Sequence, residues 1–418
     1  MRFRLLVIFS LLFTSCTVRY TVRIGGVLYN LKEGNFKLAR EAVKNSLKKG
    51  SLLYNLELGT VEHYAKNYKE SNKLFDAAEN RAEELYTRSI SKQTVSVFTN
   101  ENVKPYRPED YEYVFINYFK AFNYYFSGKI NDAVVEARKV DNKLKFLNDK
   151  QKRTYRDDAF MEFLSGIFHE MAGECNDALV SYRRAYKSYN EEYRKFYGVG
   201  MPEFLFKSFK RAAYRTGIEL AFLDTVEFSP ENGAVIVILE YGFIPQKREG
   251  FTDVLWDDER GHRRWIRVAF PYLPDTEITL PPSTSVMLGG QKGTPEIAEP
   301  LYRIAKRSLE DKKGRIIAKA LLRAAVKYGT QVEVEKKLKK KSEVLSDVVG
   351  SIINIFNVAT ERADTREWGT LPALISVAYF DVSPGKYPLH VSVGNRVILE
   401  ETVKVGAGEI KLFKVRAF

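Results

Sequence analysis

The 418-residue sequence predicts a helical solenoid followed by an α+β domain, in which a mixed β-sheet carries inserted helices. Three observations lead to this fold class. Small residues and turn residues recur in one frame four times within the first half of the chain, which is typical of stacked helical hairpins. A continuous β-branched run, "AVIVILEY" at 234–241, then changes the pattern, and the chain closes with short strand-like runs separated by turn residues.

The four repeat copies contain "EGNFKLAREAVKNS", "LGTVEHYAKNYKESNKLFDAA", "AFNYYFSGKINDAVVEARKV" and "GIFHEMAGECNDALVSYRRAY". Small residues in each copy let two antiparallel helices approach closely, and a turn glycine accepts a positive φ. This frame resembles the tetratricopeptide repeat, in four degenerate copies between about residues 21 and 193. Ordinary amphipathic helix pairs are the alternative. The predicted packing and turn positions are Gly59, Ala78, Ala121, Gly128, Ala133, Gly166, Gly173, Ala178 and Ala185.

Two features depart from a regular repeat. Lys66 stands where the other copies have a turn glycine, and the turn positions 34, 66, 128 and 173 are separated by 32, 62 and 45 residues. The wide second gap holds residues 94–111, whose prolines indicate an inserted loop. A further helix over residues 203–221 is expected to cap the stack.

Solenoids of this type bind partners on a concave face made of their successive first helices. For the aromatic members of this face, simple packing is the preferred interpretation, since large rings are common in helix cores. The candidate partner-binding residues are Tyr54, His63, Tyr118, Tyr124 and His169, with Asn117 and Phe163 beside them.

The second half predicts strands around helices. Strand-like runs occupy 234–241, 263–273, 276–282 and 284–290. A long helix is expected from Pro295 to 329, and a shorter apolar helix over 347–364 is too short to span a bilayer. From residue 373 the chain returns to strands, with a turn at "SPGK" and a tight hairpin at "VGNRV".

The stretch "LLFTSCT" at residues 11–17 follows a charged start and a short apolar run, which is the pattern of a secretory signal. It resembles the lipobox of bacterial lipoproteins, and this resemblance implies cleavage after residue 15 and lipid on Cys16. A plain signal peptide with a chance cysteine is the alternative. Thr17, in place of Asp, implies delivery to the periplasmic face of the outer membrane. The expected organisation is a signal at 1–15, repeats over 16–225 and the α+β domain over 226–418.

Two further stretches, "EYGFIPQKRE" and "ATERADTREWGTLPALISVA", resemble motifs of a family of bacterial lipoproteins without an established function. The resemblance implies an exported, lipid-anchored, repeat-containing protein and no particular reaction. Within the second stretch, Asp364 is a natural ion-pair partner for Arg366 or Arg362. Trp368 and Pro372 are expected to form a buried elbow between helix and sheet. The alternative is a surface patch in which Trp368 anchors a partner.

The net charge and the residue types of the chain restrict the classes of function that fit it. The formal charge of +13 becomes +11 once Arg2 and Arg4 leave with the signal. For an exported chain this favours anionic lipid, glycan or acidic protein over nucleic acid, with a merely solvated basic face as an equal alternative. The four histidines show no metal-binding spacing, and "GGQKGT" lacks the order of a phosphate loop. Cys175 fits a packing position, and the acidic residues at 257–259 fit a solvated turn.

These observations predict a non-catalytic protein with no metal and no cofactor. Its expected function is a lipid-anchored scaffold or adaptor that binds an unknown envelope protein or peptide through its repeats. The first alternative is an accessory factor for export or assembly of envelope lipid or polysaccharide. An envelope hydrolase is the lowest-ranked alternative.

Overall fold

The computed structural model describes residues 20–91, 104–151, 155, 157–257, 263–319 and 362–418. The predicted signal, Cys16 and most of the predicted apolar helix lie outside the described residues. The same holds for residues 94–103 of the predicted insertion and for the acidic residues 258 and 259.

The first half of the chain consists of antiparallel helical hairpins. Apolar residues on each helix face the neighbouring helices, so that the stack buries one continuous core. The helices are α1 (Tyr20–Lys32), α2 (Phe36–Ser46), α3 (Leu52–Tyr64), α4 (Tyr68–Ser91), α5 (Asp110–Phe126), α6 (Ile130–Gln151), α7 (Ala159–Met171), α8 (Cys175–Ser188) and α9 (Glu203–Thr216). A π-helical segment, Tyr189–Tyr197, follows α8 and precedes α9. No sequence signal predicted it.

The turns follow the predicted repeat frame. Gly34, Gly128 and Gly173 have φ of 71°, 74° and 81°, and each joins the two helices of a hairpin. Lys66 takes the same conformation in the second hairpin with φ of 62°, and it is the non-glycine residue with positive φ in the described part of the chain. The helical solenoid is therefore confirmed, including the degenerate turn that the sequence indicated.

Close helix contacts explain the small residues. A side chain on Gly59 would lie 2.8 Å from the ring of Phe75, and one on Gly166 would lie 2.3 Å from the ring of Tyr182. In both hairpins an aromatic ring sixteen positions later fills the space that glycine leaves. Ala78, Ala121, Ala133, Ala178 and Ala185 are all buried.

The second half contains ten described strands and one described helix, residues 301–319 (α10). Strands β10, β1, β7 and β6 form one sheet, β5, β4, β8 and β9 form a second, and β2 with β3 forms a separate ribbon. The strands are β1 (Gly233–Tyr241), β2 (Arg248–Asp257), β3 (Arg263–Tyr272), β4 (Ser285–Leu288), β5 (Gln291–Gly293), β6 (Glu296–Glu299), β7 (Leu374–Val382), β8 (Gly385–Val393), β9 (Arg396–Val405) and β10 (Ile410–Ala417).

The first sheet lies between the second sheet and the solenoid. Strand β1 pairs antiparallel with β7 and parallel with β10, and its two faces are both buried. Because side chains alternate along a strand, Val235, Val237 and Leu239 enter the core between the two sheets. Ala234, Ile236 and Ile238 enter the core shared with the solenoid. The two halves of the chain therefore share one hydrophobic core.

Two expected elements of the second half are wrong. The sequence predicts a helix from Pro295, but Glu296–Glu299 forms β6 and pairs with β7, and α10 begins only after Pro300. Proline lacks an N–H, so it ends the strand ladder at that point. Residues 276–282 form no strand, since Pro281 and Pro282 remove two donors from it.

Candidate functional site

The segment 366–372, which we call the strap, packs against helices α3, α4 and α5 of the solenoid. Trp368 is completely buried, and its ring packs against Phe75 and Phe119 at centroid distances of 5.7 and 5.5 Å. Its indole Nε1 donates to the hydroxyl of Thr60 at 2.9 Å. An apolar ring with a satisfied N–H makes a favourable buried contact. The strap is thus held by side chains of α3, α4 and α5.

Two glutamate side chains of the solenoid accept hydrogen bonds from the backbone of the strap. The N–H of Trp368 donates to Glu112 at 2.7 Å, and the N–H of Gly369 donates to Glu57 at 2.7 Å. The Thr370 hydroxyl donates to Glu57 at 2.6 Å, and Tyr20 donates to the same carboxylate at 2.6 Å. Charge-assisted bonds of this kind are stronger than neutral ones. They fix the register of the strap along the groove.

Burial strongly affects these carboxyls. It raises the pKa of Glu57 to about 7, although four hydrogen-bond donors oppose the shift. Burial likewise raises the pKa of Glu367 to about 8, and that of Glu112 above its usual value. Glu367 accepts the N–H of Lys247 at 2.9 Å. The junction between strap and solenoid is therefore sensitive to protonation.

A second polar contact joins the solenoid to the first sheet. Glu240 on β1 accepts hydrogen bonds from Tyr118 at 2.8 Å and Tyr64 at 2.9 Å. Lys414 on β10 lies 3.1 Å from Glu240 and 2.6 Å from Nε2 of His63. Burial lowers the pKa of Lys414 to about 8 and that of His63 well below its ordinary value. Glu240 and Lys414 both belong to the first sheet, so it is the hydrogen bonds of Tyr64, Tyr118 and His63 that join the solenoid to this ion pair.

The predicted partner-binding residues occupy different surroundings. His63 and Tyr118 come together around Lys414 and Glu240, on the surface that meets the sheet. Tyr54 is buried in α3, and Tyr124 is half-buried on α5. His169 lies apart from them, at the end of α7, where its Nδ1 bonds to Glu174 at 2.6 Å. Asn117 and Phe163 are also buried.

The predicted motif residues lie along the strap and just before it. Asp364 pairs with Arg366 at 2.7 Å, and Arg366 also donates to the carbonyl of Lys104 at 3.0 Å. Pro372 is buried. Trp368 is buried, as the elbow requires, and the aromatic rings that pack against it, Phe75 and Phe119, belong to the solenoid. It occupies a groove of its own chain in the way that an anchor residue occupies a partner's pocket.

One group of side chains in the described ranges has metal-ligand types. His169, Glu174 and Asp177 offer atoms within 4.8 Å of one another at the turn between α7 and α8. Glu174 already accepts hydrogen bonds from His169 and, at 2.7 Å, from Arg138. These contacts account for the carboxylate without a metal ion.

Beside the strap lies a cleft of about 980 Å³, which we call the basic cleft. Its floor contains buried apolar groups, including Leu52, Leu53 and the ring of Tyr106. Glu249 is the acidic residue in its lining. The basic residues in its lining are Arg23, Lys48, Lys49, Arg81, Lys104, Arg362 and Arg366. The sequence did not predict this cleft, because its described walls come from six separate parts of the chain.

Among the described residues, no helix combines the length and the apolar character that crossing a membrane requires.

The fold is a tetratricopeptide-like helical solenoid that shares a hydrophobic core with a strand-rich second half. No protein-family model matches the sequence, and no curated protein does. The MamA protein is similar to this chain at 12% identity and a TM-score of 0.30, over 48% of this chain and 83% of that one. The apo form of RapI matches at 12% identity and 0.34, over 47% and 49%.

PilW, a type IV pilus biogenesis factor, matches at 13% identity and a TM-score of 0.23, over 47% of this chain and 86% of that one. These likenesses each cover less than half of this chain, and at such identities they do not bear on function.

Proposed function

We propose that this protein is a lipid-anchored adaptor of the bacterial cell envelope, on the periplasmic face of the outer membrane, without a reaction of its own. Lipid on Cys16 would hold it at the membrane, and the solenoid with its docked domain would present a binding surface to an envelope protein or peptide. Support for the anchor comes from the signal-like start and the position of Cys16 directly after it.

The observation that supports the adaptor function is that the strap and the first sheet already cover part of the repeat surface. The strap and the first sheet cover His63, Tyr118 and the groove around Trp368. A partner therefore has to meet a surface that these internal contacts leave exposed. Solenoids whose surfaces recognise other chains act by binding rather than by catalysis, and this organisation supports the same role here.

The β2–β3 ribbon is the surface that fits a protein partner best. Among the described strands, β2 and β3 pair only with each other. Phe251 and Leu255 share one face of the ribbon and are 54% and 46% exposed, whereas Tyr272, 38% exposed, lies on the other face. Grouped exposed apolar side chains mark interaction sites, and an open strand edge accepts an extended segment of another chain. We propose that such a segment docks on this ribbon.

Site-specific photo-crosslinking tests the ribbon in intact cells. A photoreactive residue in place of Phe251 or Leu255 is expected to give one defined adduct. The same residue in place of Val397, which is 52% exposed on the second sheet, is the matched control and is expected to give none. Excess unmodified protein should suppress the adduct, whereas the Phe251→Ser, Leu255→Ser double variant should not. Equal adducts at all three positions would refute the ribbon as a docking surface.

The anchor has its own test. Growth with a labelled lipid precursor is expected to tag the wild-type protein, and Cys16→Ser should abolish the tag. Cys175→Ser is the control, because Cys175 lies in the first turn of α8 and should leave the tag unchanged. Membrane retention of the Cys16→Ser protein without accumulation of precursor would exclude lipidation as the anchor.

A further inference from the structure

We infer that the basic cleft binds the phosphate-bearing headgroup of an anionic membrane lipid. The cleft's charge, its shape and its position near Cys16 support this ligand class. The position depends on the proposed function, since it uses the lipid anchor on Cys16; the charge and the shape do not.

The charge of the cleft is strongly one-sided. Among the described residues, seven basic side chains and one acidic side chain, that of Glu249, line it. Arg81 pairs with Glu84 at 2.5 Å and Arg366 with Asp364 at 2.7 Å, whereas Arg23, Lys48 and Lys49 are exposed at the rim. A concave basic surface concentrates anions, and lysine and arginine are the usual binders of phosphate.

The shape of the cleft suits an amphiphile. Leu52, Leu53 and Tyr106 are buried in its floor, whereas Arg23, Lys48 and Lys49 are exposed at its rim. A lipid headgroup would place its phosphate among the rim charges and its glycerol carbons above the apolar floor. The volume of about 980 Å³ lies at the upper end of the range for ligand sites. A free phosphate ion would leave most of this space and all of the floor unused.

The chain brings the cleft close to a membrane. Tyr20 lines it, and Cys16 is four residues earlier, so a fully extended connection spans at most about 14 Å. Lipids around an anchor at Cys16 are therefore at high effective concentration near the cleft. The adjoining hairpin exposes Val22, Tyr29 and Leu38, by 67%, 65% and 55%. Exposed apolar groups beside basic ones are typical of surfaces that lie in a headgroup layer.

Vesicle binding tests the inference with the mature chain that carries Ser at position 16, so that no anchor contributes. We expect the protein to sediment with phosphatidylcholine vesicles that contain phosphatidylglycerol, and not with phosphatidylcholine alone. Lys48→Gln with Lys49→Gln should weaken this binding roughly 30-fold, since each lysine near an anionic surface contributes about fivefold. The control pair, Lys292→Gln with Lys386→Gln, removes the same charge from exposed sites on the second sheet and should leave binding within about twofold.

Competition distinguishes the possible sources of the anion. The soluble headgroup glycerophosphoglycerol should displace the vesicles, whereas inorganic phosphate at the same phosphate concentration should not. Equal loss in both lysine pairs would overturn the inference, because it would indicate a diffuse charge effect. Displacement by polyglutamate but not by the soluble headgroup would overturn it in favour of an acidic peptide. If the Cys16 label fails while vesicle binding persists, the anchor is refuted and the cleft assignment stands.

Discussion

Two neighbouring regions of the solenoid surface meet at Tyr20, and they use opposite charges. On one side, Tyr20 donates to Glu57, and the carboxylates of Glu57 and Glu112 hold the backbone of the strap. On the other side, Tyr20 forms part of the basic cleft. The difference shows how a repeat groove is divided. In one region, buried carboxylates hold the strap, which is a segment of the same chain. In the adjoining region, basic side chains suit the binding of an anion from another molecule.

The largest expected effect tests whether the filled region holds the two halves together. Trp368→Ala removes a completely buried ring that packs on Phe75 and Phe119, and it leaves Thr60 without its donor. We expect a loss of about 3–5 kcal/mol in the free energy of unfolding, measured by denaturant titration. Trp368→Phe keeps most of the volume and should lose less. An unchanged midpoint for Trp368→Ala would contradict the assignment of the strap as a structural contact.

The pH dependence of stability sharpens the comparison between the two regions. The pKa of Glu57 is about 7 in the folded chain and ordinary when unfolded, so the folded state binds more protons between these values. The contribution of Glu57 to the free energy of unfolding is fully present below about pH 4.5 and is lost as pH rises through about 7. The total loss is roughly 3 kcal/mol. Lys414 titrates in a different window: because its pKa falls from 10.5 to about 8 on folding, stability rises as pH increases through this range and does not depend on this group below about pH 8.

Glu57→Gln separates this contribution. The variant is expected to be less stable at low pH, because the amide nitrogen cannot accept from the strap, but its stability should fall less between about pH 4.5 and 7. Thermal unfolding across that range checks the slope. Identical slopes for the variant and the wild-type protein would mean that other carboxyls, such as Glu367, carry the dependence.

A third prediction concerns the repeats, whose packing should not depend on either region of the groove. Gly166→Ala places a methyl group 2.3 Å from the ring of Tyr182 and should cost about 1–3 kcal/mol. Gly25→Ala in α1 is the matched control, because no atom lies within 4 Å of its added methyl group. It should stabilise the helix by about 0.5–1 kcal/mol. A similar response at both positions would contradict the close contact of α7 with α8.

Local sequence patterns predicted most of the helices and strands. The way in which the two halves pack depends on contacts between residues that are far apart in the sequence. The turn frame gave the hairpins, including Lys66, because a hairpin is determined by neighbouring residues. Strand β1 was recognisable because a run buried on both faces is apolar at successive positions. The sequence could not show that the strap would cover helices of the solenoid, since Thr60 and Trp368 are 308 positions apart.

The missed site residues nevertheless carried a signal. Glu57 interrupts the apolar helix "LLYNLELGT", and Glu240 ends the run "AVIVILEY". An acidic residue inside a buried apolar pattern requires a partner, because an unpaired buried charge is costly. That rule identifies both residues as polar contact points, although it does not identify what they contact. The basic cleft had no comparable signal, because its basic residues come from several distant parts of the chain.

The smallest expected effect tests the turn frame at its irregular member. Lys66 holds φ of 62°, a conformation that costs a residue with a side chain about 1 kcal/mol relative to glycine. Lys66→Gly should therefore stabilise the chain by up to about 1 kcal/mol, whereas Lys66→Ala should not, because alanine pays the same backbone cost. Gly173→Ala, at the equivalent turn with φ of 81°, should destabilise by a similar amount. Denaturant midpoints of the three variants measure the effect. Opposite signs at positions 66 and 173 support one shared turn geometry in all four hairpins. Destabilisation by Lys66→Gly would mean instead that the lysine side chain contributes a contact that outweighs the strain of its turn.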